Sequence, residues 1–102
     1  MKTKVTFHWL SDPGHAWLRV PLRLVNELGI GHKITSYSYV WQWPAAGSLY
    51  LEEDCDAHTF IEAYKQRWPN HELVFEDHYK DVQPLKRLPR WQPAKQIIFT
   101  NH

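Results

Sequence analysis

Apolar and polar residues alternate with period two over Lys4-Val5-Thr6-Phe7-His8-Trp9, which predicts a strand with one buried face. Ser11-Asp12-Pro13-Gly14 follows as a turn, Pro presetting the first central residue and Gly accepting the positive φ of the second. Ala16 to Val20 alternates again and predicts the returning strand of a hairpin. Pro21 suits a first helical position, and Leu22, Val25 and Leu28 recur at helical spacing. Gly29 then suits a left-handed helix end, with Ile30 placed for the apolar contact that accompanies it.

The same order repeats. Ile34 to Trp43 reads as a strand, rich in Ser, Tyr, Thr and Val, and Pro44 to Ser48 as a turn. Leu49 to Glu52 returns, and Asp56 suits a helix N-cap. Ala57, Phe60, Ile61, Tyr64 and Trp68 mark one helical face, which Pro69-Asn70 terminates. Glu72 to Tyr79 alternates as a fifth strand. The pattern predicts an α+β single domain over 1–81, a mainly antiparallel sheet with two helices on one face (ββαββαβ). An extended, Pro-rich basic arm over 82–102 docks on the domain or on a partner, with Ile97-Ile98-Phe99 as a short edge strand or contact.

Period-two bookkeeping assigns the faces. Val5, Phe7, Trp9, Ala16, Leu18, Val20, Leu49, Leu51, Leu73 and Phe75 form the face under the helices, together with Tyr37, Tyr39, Trp41 and Trp43. The alternative for that aromatic strand is an exposed platform for stacking bases. The opposite face carries His8, Trp17, Arg19, Tyr50, Glu52, Glu76 and His78, with Ser38 and Val40 on the same side. Exposed aromatic and Arg side chains anchor binding surfaces, so Trp17, Arg19 and Tyr50 are candidate anchors, with His8, Glu52 and His78 around them. The competing reading is that the arm folds back and covers this face with Trp91.

Composition changes the picture at one point: 102 residues carry six Trp. Large aromatic side chains help so short a chain close a core. Trp9, Trp41, Trp43 and Trp68 fall on expected core faces; Trp17 and Trp91 are left for the opposite face and the arm. Charge is uneven: residues 1–34 carry +3, 35–81 carry −6 and 82–102 carry +4. A total near neutrality argues against a general DNA coat and against a DNA mimic. The basic tail either packs on the acidic middle of the chain or steers an anionic partner. No apolar run approaches a membrane span, the start does not read as a signal peptide, and a single cysteine fits a reducing cytoplasm.

Candidate chemistry is thin. The seven histidines show neither i, i+4 helical spacing nor a His-x-His strand spacing, so no metal site is expected. Phosphate-binding loops are absent. Glu52-Glu53-Asp54-Cys55-Asp56 places four carboxylates in five residues. These read as negative charge favouring a helix N-terminus, with cation binding as the alternative. Cys55 reads as a buried structural thiol. No catalytic constellation emerges and no cofactor is implied.

His15-Ala16-Trp17-Leu18-Arg19-Val20-Pro21 through Leu28-Gly29-Ile30, then Ile34-Thr35-Ser36-Tyr37-Ser38-Tyr39, then Tyr50-Leu51-Glu52-Glu53-Asp54-Cys55-Asp56-Ala57, resembles a group of small proteins encoded by bacteriophages and proteobacterial mobile elements. The resemblance covers about residues 14–65. It supplies no catalytic residues and implies a setting: a short accessory protein in the bacterial cytoplasm. The leading expectation is a non-enzymatic protein that binds and inhibits a host factor, such as a defence component. A nucleotide or single-stranded nucleic-acid binding protein is the second, and a small metal-assisted hydrolase using His and the acidic run the third. A homodimer through a sheet edge or Ile97-Ile98-Phe99 is compatible with all three.

Overall fold

The fold is that of a computed structural model, which describes residues 2–41, 47–79 and 84–92. It is an α+β domain with strands β1 (Thr3–Ser11), β2 (Ala16–Pro21), β3 (Tyr39–Trp41), β4 (Ser48–Glu52) and β5 (His71–Tyr79) and helices α1 (Leu22–Leu28) and α2 (Asp56–Arg67). The sheet runs β3-β4-β2-β1-β5, with β5 parallel to β1 and every other pair antiparallel. Among the described residues, no helix is long and apolar enough to cross a membrane. Trp43, most of the turn around Pro44, and Ile97-Ile98-Phe99 lie outside the described residues.

Local chemistry explains the elements. In the β1–β2 turn the Asp12 carboxylate accepts the amides of Gly14 and His15 at 2.9 and 2.8 Å. The same bonds hold its carboxyl below the ordinary value of 3.8. Gly29 ends α1 in the left-handed region, φ 68°. Its amide donates to Asn26 O, and the amide of Ile30 donates to Val25 O, so two free carbonyls of the last turn are satisfied.

The main core lies between the helices and one face of the sheet. Phe7, Leu18, Val20, Val40, Leu49 and Leu51 meet Val25, Ala57, Phe60 and Tyr64, closed at one end by Ile30, Ile34 and Trp91. Phe7 stands edge-on to Phe60 and Tyr64, with ring centroids 5.2 and 5.7 Å away, a favoured aromatic geometry.

The third strand departs from expectation in length and in facing. Among the described residues of this stretch only Tyr39–Trp41 pairs, because Thr35 to Ser38 is drawn into a turn around the Asp56 carboxylate. Val40 pairs with Leu49 and faces the helices; Tyr39 pairs with Tyr50 and faces away. Tyr39 is therefore buried on the opposite face, Tyr37 is 68% exposed and Trp41 45% exposed. Of the described members of the aromatic row, Tyr37, Tyr39 and Trp41, none lies in the main core.

The segment 84–92 wraps the β3 edge. Val40 N donates to Pro89 O and Trp91 N donates to Ser38 O, at 2.9 and 2.8 Å. Leu85 and Leu88 pack with Trp17, Tyr39, Tyr50 and Leu10 on the face away from the helices. The Trp91 ring crosses to the helix side, where its Nε1 donates to Gly31 O at 2.9 Å. A Cβ on Gly31 would stand 3.3 Å from that ring. Residues 84–92 of the arm fold back, but they cover Trp17 with leucines and commit Trp91 to the main core.

Candidate binding cleft and histidine cluster

The seven candidate binding residues divide into a packed set and an open set. Trp17 is 5% exposed and Trp91 1% exposed, so both rings serve mainly as internal packing. Tyr50 is half-buried against Trp17 and Tyr39. Glu52 is committed to the start of α2: its Oε1 accepts the amides of Cys55 and Asp56 at 2.6 and 3.1 Å, and its Oε2 that of Asp54 at 3.0 Å. Glu52 thus performs the capping expected of Asp56. Asp56 is instead the first residue of α2, its carboxylate turned inward to accept Thr35 N, Thr35 Oγ1 and Ser38 Oγ. Ser38 is fully buried there, away from the open face assigned to it. Cys55, expected to be buried, is exposed at the cap position of α2.

The open set is His8, Arg19 and His78, joined by Glu76. Cross-strand register explains the grouping: His8 pairs with Arg19 on one side and with Glu76 on the other. His78 lies two residues beyond Glu76 and so on the same face. His8 Nδ1 is 3.0 Å from His78 Nε2. Glu76 Oε1 is 3.7 Å from the first atom and 3.9 Å from the second. Among the described residues, His8, Glu76 and His78 are the group of metal-ligand side chains that converges; the run Glu52 to Asp56 does not.

A second feature was not visible in the strand pattern. An open cleft of about 490 Å³ is lined by His15, Trp17, Tyr37, Tyr39, Glu52, Asp54, Cys55, Lys86 and Arg90. It forms where the 84–92 segment passes the start of α2 and the turn before β3. His15 stacks on Trp17, their centroids 5.7 Å apart. The Arg90 guanidinium lies over the Tyr39 ring at 5.2 Å and donates to Ser36 O at 3.0 Å. Among the described residues, no carboxylate is within ion-pair distance of Lys86 or Arg90. The Trp17 Nε1–H is buried without an acceptor. The basic tail contributes two cations to this cleft; its only sequence signal was its charge. Compared with family models, with curated proteins and with solved structures, the chain matches none.

Proposed function

We propose that this chain is a non-enzymatic binding protein that takes a segment of a partner protein in the cleft beside Tyr37. The observation that carries the reading is the juxtaposition of an open aromatic ring, Tyr37, with two cations, Lys86 and Arg90, that no carboxylate among the described residues pairs within ion-pair distance. Aromatic rings supply contact area at low entropic cost, and cations at the rim steer and orient an acidic segment. An acidic segment carrying an aromatic or aliphatic side chain has the complementary chemistry. On the resemblance to proteins of phages and mobile elements, the partner is a host factor of the bacterial cytoplasm, and its occupation by this chain inhibits it.

A second reading is favoured by the same ring and cations: a base stacked on Tyr37, with phosphates meeting Lys86 and Arg90, would make a nucleotide or single-stranded nucleic-acid site. One experiment separates the two. The chain is purified from bacterial cells with whatever co-elutes on gel filtration, before and after nuclease treatment. The first reading expects a nuclease-resistant complex of fixed stoichiometry that Tyr37→Ala and Lys86→Glu each abolish at unchanged thermal stability. A complex retained by both variants contradicts it, and a nuclease-sensitive one selects the second reading.

A further inference from the structure

We propose that His8, Glu76 and His78 form a site for a divalent transition-metal ion of the zinc type. The site lies on the half of the sheet face that the 84–92 segment leaves uncovered, and none of its residues lines the cleft.

The backbone sets the site. Parallel pairing of β1 with β5 fixes His8 opposite Glu76 and Leu10 opposite His78. The three ligand atoms then form a triangle with sides of 3.0, 3.7 and 3.9 Å. The circle through such a triangle has a radius of about 2.1 Å, so one point lies about 2.1 Å from all three atoms, the bond length zinc takes with imidazole nitrogen and carboxylate oxygen. Moving the ion about half an ångström out of the plane of the three atoms lengthens these bonds by less than about 0.1 Å. That leaves a fourth, tetrahedral position open to water or to a donor from elsewhere.

The donor set narrows the ion. Two imidazoles and one carboxylate suit zinc, cobalt, nickel or copper; with no thiolate the site is not soft, and with two nitrogen donors it is a poor calcium or magnesium site. Without an ion, one ring donates its N–H to the other. Metal binding requires that ring to carry its proton on the other nitrogen, a tautomer change with no net loss of protons from two neutral rings. Arg19, the cross-strand neighbour of His8, opposes a cation, but it is exposed and its charge is screened by solvent. A bound ion would staple the edge strand β5 to β1, joining His8 to His78 across 70 residues of sequence.

The test uses the whole chain, stripped with chelator and titrated with zinc chloride by calorimetry, with thermal melting in parallel. The proposal expects one saturable equivalent and a melting temperature that zinc raises. His8→Ala and His78→Ala should each weaken binding by at least about tenfold, the scale on which even outer-shell partners act, and should abolish the thermal shift. Glu76→Gln should weaken binding while leaving the fold intact, and His32→Ala should change neither reading. No saturable binding by the wild-type chain would overturn the proposal. So would unchanged affinity and stoichiometry in folded His78→Ala and Glu76→Gln.

Discussion

Ser38 donates its hydroxyl to the Asp56 carboxylate at 2.6 Å, and both side chains are shielded from water. The Ser38 oxygen in turn accepts the amide of Glu52 at 3.0 Å, so one buried carboxylate ties the turn before β3 to the end of β4 and the start of α2. Asp56→Ala strands the Thr35 amide, the Thr35 hydroxyl and the Ser38 hydroxyl. Ser38 is fully buried and Thr35 half-buried, so at about 1–3 kcal/mol for a buried group left unsatisfied the loss should be at least about 1 kcal/mol. Urea unfolding should show it as a lower midpoint at unchanged slope, with Asp56→Asn, which keeps an acceptor oxygen, losing less.

Trp17 and Tyr37 should separate packing from binding. Trp17→Ala removes a buried ring beneath Leu85 and Leu88, at a cost of about 3–5 kcal/mol. Trp17→Phe keeps most of the ring volume and deletes an unpartnered donor, so it should lose much less. Tyr37→Ala should stay within about 0.5 kcal/mol of the wild-type chain. Thermal or chemical unfolding of the three variants checks the order.

The Asp12 turn predicts a pH dependence with a definite sign. Its carboxyl is lowered below 3.8 by the His15 and Gly14 amides. Its stabilising contribution is therefore complete above that value and is lost as pH falls through the lowered folded value. Asp12→Ala should flatten this part of the stability curve, read by urea unfolding across the acid range. An identical acid slope in the variant would remove Asp12 from the account.

Gly29 holds φ 68°, with nothing within 4 Å of an added Cβ. Gly29→Ala should therefore lose only the left-handed backbone penalty, about 1–2 kcal/mol. Gly31→Ala differs, because its Cβ meets the Trp91 ring. Trp91 fluorescence in a background lacking the other indoles should shift for Gly31→Ala and stay in place for Gly29→Ala.

The order of strands and helices was legible because each is a local pattern: alternation in β1, β2, β4 and β5, helical spacing in α1 and α2. The facing of Tyr39 was not, because it depends on register. Tyr50 was placed on the open face and Tyr39 on the core face, yet the two pair across β3 and β4 and share one face. A cross-strand partner must be known before parity has a sign. The histidine cluster failed for a related reason. His8 and His78 are 70 residues apart and meet only through the parallel β1–β5 pair; Glu76-x-His78 on one strand face was the signal present in the sequence. A cover by the arm through Trp91 was one of two readings of the opposite face, the other an open binding surface, and nothing local says that Leu85 and Leu88 take one face and Trp91 the other.

The proposed partner contact lies at Tyr37 and the cations beside it, and is not anchored by the buried Trp17. A photo-crosslinking amino acid placed at position 37, with Tyr79, 73% exposed on the far edge strand, as the control position, tests this most directly in living bacterial cells. A single protein adduct from position 37, lost on Lys86→Glu and absent from position 79, is the predicted result. Adducts of equal yield from both positions, or none from position 37 while a complex still forms, would contradict it.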